Sequence, residues 1–525
     1  MAAPERFTEQ ERELLEPFVS DLDAPVFALR NLPETTRGAL FARYSRYPGT
    51  LRRLLLDEFA AELDDDAGYA GVGTGRAEQL FERVLGEYGD DSVAQLAGFH
   101  VACEWVSNLL TKVIERPRLG AYLEQSTRYI AFDRPLPGFG YRYYRSPALG
   151  AEYERAMDAC FEDYGSLLAA LTPWLAERFS RGEGESPGAH ERAVRAKGLD
   201  LARALLPAAT LSHVGIFASA QTFERLVLHL RAEELPEAQR CGELMLAALR
   251  SVAPAFMTRV DRPDRGLAWS EFLRRRAATE ASAASRLGLA APGGRDAAAE
   301  PGVRLVRVEG DERELLAALL FERAGVSEER IAAVLARLAG EERMALLAEL
   351  LSGRENRRQL PGRGLETLRY RFEIVSDYGA FRDLQRHRML TAQWQPLGPH
   401  LGASVPEEVS AAGLDALYER ALDRSRGAWQ ALWDAGLHAQ APYALCLAYR
   451  IRYALEMDAR EAMHVVELRS GREGHASYRA LAAQMHELIA TVHPAVAEAM
   501  VFRDRSAEPR LERIVAELRG EQRRI

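Results

Sequence analysis

Cysteine is scarce: Cys103, Cys160, Cys241 and Cys446 are spread through 525 residues with no C-x-x-C pair. That excludes a thiolate metal centre and a dense disulfide framework, and leaves buried, reduced thiols as the expectation. Lysine is scarcer still, present only at Lys112 and Lys197 among 68 basic residues. Arginine therefore carries the basic chemistry, and a single arginine means little unless a motif surrounds it. The two lysines themselves read as placements on exposed turns, the alternative being a need for a compact charge where the chain otherwise writes arginine. No apolar run approaches the ~18 residues that a membrane-spanning helix needs. The acidic, polar amino terminus lacks the basic start and apolar stretch of a secretory signal, so the expected location is cytoplasmic. P-loop, G-x-G-x-x-G and G-x-S-x-G elements are missing, and the glycines at 71, 73 and 75 read as a loop. His464, His475, His486 and His493 lack the i,i+3 or i,i+4 spacing of a metal site and read as capping or surface residues. A net charge of −9 argues against non-specific nucleic-acid binding, while leaving room for a local basic pocket around one phosphate.

What is present is helical periodicity. Apolar residues recur at three- and four-residue spacing over 50–63, 313–323 and 477–492, and each stretch predicts a helix. Short β-like runs interrupt them, Tyr141 to Tyr144 and Val303 to Val308 being the clearest. The fold class expected is α+β, helix-rich. Residues 281–302 are rich in Ala and Gly with two prolines and read as a linker. It divides the chain into a first domain, 1–280, and a second, 303–525.

The two parts repeat each other. Residues 107–129 read SNLLTKVIERPRLGAYLEQSTRY; residues 376–398 read SDYGAFRDLQRHRMLTAQWQPLG. Each has an apolar helical stretch, then R-x-R, then a polar segment leaving the helix. Further on, VLHLR ending at Arg231 answers HVVELR ending at Arg469. One ancestral domain, duplicated in tandem, accounts for the matching order and spacing.

The chemistry is legible in the residue types. A nucleoside monophosphate presents a dianion that guanidinium groups engage bidentately. Ser126 can both donate and accept, and Glu124 can accept from a ribose hydroxyl or ring N–H. The short non-helical segment from Glu124 to Tyr129 can also turn backbone N–H groups toward an anion.

In these motifs the chain resembles the flavin-dependent (FAD-dependent) thymidylate synthases, whose signature is R-H-R-x-x-S-x-N-x-x-S-x-R-Y. The first copy, Arg116-Pro117-Arg118 to Glu124-Gln125-Ser126-Thr127-Arg128-Tyr129, keeps the closing E-x-S-x-R-Y but has Pro117, Ala121 and Leu123 in place of His, Ser and Asn. The second, Arg386-His387-Arg388 with Thr391 and Gln393, keeps R-H-R but puts Pro396 and Gly398 where Ser and Arg belong. The resemblance implies two copies of that fold and one-carbon transfer from methylenetetrahydrofolate to C5 of dUMP. FAD would carry the hydride and NADPH would reduce it, with no cysteine nucleophile. It assigns Arg116, Glu124, Gln125, Ser126, Arg128, Tyr129 and Arg203 to the nucleotide. Arg386, His387, Arg388, Thr391, Gln393 and Arg460 fall to the flavin. Arg469 and Arg231 occupy the place of the arginine that polarises the pyrimidine. The family's flavin-holding histidine is replaced by Leu96 and Thr367, and its asparagines before the terminal arginine by Asp458 and His464 in the second half.

The losses are complementary. If the halves pair as subunits of a homo-oligomer would, one composite pocket combines Glu124, Ser126, Arg128 and Arg203 with Arg386, His387, Arg388 and Arg469. The mirror pocket would be inactive or repurposed, and a homodimer would act as a pseudo-tetramer. Two alternatives keep the fold: a flavin enzyme for another pyrimidine nucleotide or one-carbon donor, and a non-catalytic nucleotide-binding scaffold.

Overall fold

The computed structural model describes residues 5–32, 37, 40–41, 43–44, 47–63, 95, 97–289, 300–505 and 511–522. The glycine-rich loop expected at 71–75 lies outside them. The chain forms two compact units, each drawing on both sides of the expected linker. The first comprises Met1–Leu168, Leu205–Arg295 and Leu414–Cys446; the second comprises Ala169–Ala204, Asp296–Gly413 and Leu447–Ile525.

The first unit is built on strands β1 (Val26–Ala28), β2 (Gly98–Ser107), β3 (Gly120–Glu124) and β4 (Leu211–Ser219), antiparallel in the order β1-β2-β4-β3. Leu110 and Ile114 of the helix Asn108–Ile114, Phe223 and Val227 of Ala220–Ala232, and Met245 and Leu249 of Pro236–Val252 are fully buried in its core. The segment 414–446 belongs to this core, since Tyr443 stacks on Tyr144 with centroids 4.8 Å apart. The Tyr443 hydroxyl also donates to the buried Glu237 carboxylate at 2.5 Å.

The second unit repeats the plan. Strands β5 (Gly302–Glu309), β6 (Arg369–Asp377), β7 (Thr391–Trp394) and β8 (Arg450–Asp458) pair antiparallel in the order β5-β6-β8-β7. The helix Pro187–Ala202, from the first half of the sequence, is tied into this unit by ion pairs. Arg192 meets Glu517 and Glu521 at 2.6 Å, and Lys197 meets Glu408 at 2.8 Å and Glu512 at 2.6 Å.

Four strands turn directly into helices, and the last residue of each strand is the helix cap. Ser107, Ser219, Asp377 and Asp458 accept from the N–H groups of Leu110, Thr222, Ala380 and Glu461. Each satisfies a donor that the first helical turn leaves open. The same device in both units, on the same sheet order, is what a duplicated fold of mixed helix and sheet looks like.

The predicted helices occur at Leu51–Leu63, Glu312–Ala324 and Ala476–Val492, and the run at 303–308 is β5. Tyr141 to Tyr144 is not a strand. It makes one isolated bridge, Tyr143 to Thr210. Arg142 and Tyr143, neighbours in sequence, are both buried, the Arg142 guanidinium 4.3 Å from the Phe132 ring centroid, so the run does not alternate between a core face and a solvated one. Residues 281–286 of the expected linker continue the helix Ala268–Arg286, and residues 290–299 lie outside those described. The lysines are not on exposed turns. Lys112 is buried between Glu115 (2.6 Å) and Glu124 (3.3 Å), and Lys197 is buried between its two glutamates. His475 caps its helix as expected, by accepting from the Ser477 N–H, while His486 and His493 are buried rather than on the surface.

Candidate active site

In the second unit β6 runs into the short helix Tyr378–Leu384, which ends just before Arg386-His387-Arg388. The Arg386 Nε–H donates back to the Arg382 carbonyl at 3.2 Å, a favourable place for a cation at a helix C-terminus. Its Nη2 reaches Asp383 Oδ1 at 2.6 Å. Arg203, at the end of the helix Pro187–Ala202, approaches Asp383 Oδ2 at 3.5 Å and Asp200 at 3.4 Å. One carboxylate thus links an arginine from the first half of the sequence to an arginine from the second.

β8 delivers a further arginine. It passes through the cap at Asp458 into the helix Ala459–Arg469, whose last residue folds back over His387. The Arg469 Nε–H donates to His387 Nε2 at 2.8 Å. The other ring nitrogen, Nδ1, lies 3.1 Å from Glu461 Oε1. The Arg469 guanidinium carbon stands 5.5 Å from the Tyr478 ring centroid. Burial pushes the His387 imidazole well below its ordinary pKa, and the neighbouring Arg469 adds to the effect. Burial also lowers Arg469, but from so high a value that it stays a cation. Glu461 is raised, again by burial.

The remaining expected flavin residues have partners within the protein. Gln393 accepts from Arg371 at 2.7 Å, Thr391 pairs with Glu456 across β7 and β8, and the Arg460 Nε–H donates to the Pro361 carbonyl at 3.0 Å. Both His387 nitrogens are engaged within the protein. Arg386 and Arg388 are exposed, and guanidinium groups are the chemistry that a phosphate group recognises.

The first unit holds the E-x-S-x-R-Y segment. Glu124 accepts from Lys112 Nζ, and Gln125 donates through Nε2 to the Tyr47 carbonyl at 2.8 Å. Ser126 Oγ accepts from the Arg128 N–H at 3.2 Å, closing a turn rather than extending β3. Arg116 and Tyr129 are exposed and Arg128 is half-buried. Arg231 has two carboxylate partners, Glu243 at 2.6 Å and Asp261 at 2.7 Å.

Asp383, Asp200, Glu461 and Tyr478 were not singled out from the sequence. Two signals were available. Asp383 stands three residues before Arg386, the spacing of a helical ion pair, and Glu461 stands three residues after the cap Asp458. Among the described residues no group of His, Cys, Asp and Glu side chains is arranged to hold a metal ion, and no helix is long and apolar enough to cross a membrane.

Comparison with known proteins places the chain in a family. The model of the thymidylate synthase complementing proteins matches residues 51–255 and 314–495. A UPF0159 protein of Chlamydia muridarum is 35% identical over 520 residues, covering 95% of this chain and 96% of that protein. A UPF0159 protein of Thermoplasma acidophilum is 30% identical over 518 residues, covering 92% and 98%. A crystal structure of a UMP/dUMP methylase from Streptomyces cacaoi, bound with 5-Br dUMP, aligns at 18% identity and a TM-score of 0.32, over 40% of this chain and 98% of its own. The family match falls in two segments on either side of 281–302, one for each copy of the sheet, and the chain belongs to the thymidylate synthase complementing protein family with its domain present twice.

Proposed function

We propose that the second unit binds a pyrimidine deoxynucleotide of the dUMP type and methylates it at C5, with methylenetetrahydrofolate as carbon donor and NADPH as reductant. The observation that carries this reading is the convergence of Arg203 and Arg386 on Asp383, with Arg469 on the neighbouring helix. A phosphate dianion is the ligand that paired guanidinium groups recognise best. Here it would take over the contacts that Asp383 now makes to Arg203 and Arg386.

The chain's own residues then have distinct tasks. Arg203 and Arg386 anchor the phosphate and fix the distance to the base. Arg469 meets the uracil edge, where its charge favours loss of the N3 proton and stabilises negative charge developing on the ring. Bound FAD would supply hydride chemistry, with the exposed Arg388 as the guanidinium that meets its phosphates. No covalent thiol step is needed; all four cysteines are buried free thiols.

Titration of the full-length protein with dUMP and with deoxyuridine tests the binding step. The reading predicts that dUMP binds at least about tenfold more tightly, because the phosphate makes charge-assisted hydrogen bonds that the nucleoside lacks. Equal affinity for the two would refute it. Rescue of a thymidine auxotroph then separates methylation of dUMP from chemistry on another nucleotide or from a scaffold role.

A further inference from the structure

The arginines ending the two corresponding helices are held in different ways. Arg231, in the first unit, is gripped by Glu243 through both Nε and Nη2, and its Nη1 donates to Asp261. Two carboxylates against one guanidinium leave no positive charge to offer a ligand. Arg469, in the second unit, is instead oriented through Nε by an imidazole, and the carboxylate whose charge acts on it, Asp383, is already shared by Arg203 and Arg386.

That contact sets the protonation state of the ring. His387 Nε2 accepts the Arg469 Nε–H, so it carries no proton, and the neutral ring has its proton on Nδ1. Nδ1–H then donates to Glu461 Oε1. Without that acceptor the ring could place its proton on Nε2, setting two N–H donors against each other. The side chain of His387 is only 4% exposed, so water cannot readily substitute for Glu461. The charged and titratable groups around the ring are Glu461, Arg469, His464, Arg386 and Arg388.

We infer that Glu461 and His387 are positioning residues: Glu461 fixes the Nδ1–H tautomer of His387, and His387 fixes the guanidinium plane of Arg469 without neutralising it. An aspartate or glutamate in the place of His387 would orient Arg469 equally well but cancel its charge. The imidazole orients and leaves the charge for the ligand. This rests on the nucleotide reading above only in naming that ligand.

The test uses full-length protein with 15N-labelled histidine, the His387 signal being assigned by its loss in His387→Gln. The wild-type ring should be neutral and protonated on Nδ1 from about pH 5 to 8. Glu461→Gln offers the same acceptor oxygen, so it should keep the tautomer and bind dUMP as the wild type does. Glu461→Leu should lose the tautomer and bind dUMP about tenfold more weakly, with the same far-ultraviolet circular dichroism. A wild-type ring that protonates like a solvated imidazole, or that carries its proton on Nε2, would overturn the inference. So would Glu461→Leu binding dUMP normally. If the wild type binds no dUMP, the nucleotide reading fails and the tautomer measurement alone decides this one.

Discussion

At the scale of residues, the two lysines show how rarity and environment combine. Both are buried, and each lies between two carboxylates. Lys112→Ala would leave Glu115 and Glu124 buried without their cation, which costs about 3–5 kcal/mol; urea denaturation should show the loss, and a change under about 1 kcal/mol would mean the carboxylates find other partners. His213 gives a pH prediction. Burial first, then Arg142 and Arg52, depress its pKa to about 3. The unfolded chain therefore takes up a proton below about pH 6.5 that the folded one refuses, and stability contributed by the neutral ring is lost as pH falls. The slope should be steeper in the wild type than in His213→Gln by up to about 1.4 kcal/mol per pH unit, as read from denaturation midpoints of the two proteins between neutral pH and pH 5. At this scale the sequence showed the cations better than the anions. Arg386, His387, Arg469 and Arg203 sit in motifs, while Asp383 and Glu461 show their roles once the helices bring one to Arg386 and the other to His387.

At the scale of elements, the strand-to-helix junctions position the site. β8 alternates buried and half-buried residues, with Ile451, Tyr453, Leu455 and Met457 inward. Leu, Glu and Met favour helices, which masked that period of two in the sequence, and β2 is buried almost continuously and shows no alternation at all. The caps were equally hidden, because a Ser or Asp ending a strand looks like any other polar residue until the helix begins. Asp458 stands where the resemblance to the flavin-dependent thymidylate synthases leads one to expect asparagine, and both residues cap well. Asp458→Asn should therefore be nearly neutral and Asp458→Ala should cost about 1 kcal/mol, measured by urea midpoint. Alanine as stable as asparagine would show that packing of the helix Ala459–Arg469, rather than its cap, holds Arg469 in place.

At the scale of the molecule, the repeat was legible and its assembly was not. Matched motifs announce two copies, but nothing in a motif says that 414–446 joins the first unit and 169–204 the second. The cost of that exchange is interdependence. Residues 1–280 alone lack the helix Asp415–Asp434 and Tyr443, the partner of Glu237; residues 303–525 alone lack Arg203 and the helix carrying Lys197. Expressed separately, the halves should be poorly structured by circular dichroism, and co-expressed they should purify together. Independent folding of either half would contradict the exchange. Arg203 reaches Asp383 through this exchange, and a double-mutant cycle of dUMP affinity on Arg203→Ala and Arg386→Ala tests that most directly. The account predicts that each substitution weakens binding about tenfold or more and that the pair together loses less than the sum, as partners on one phosphate do. Wild-type affinity in Arg203→Ala would contradict it.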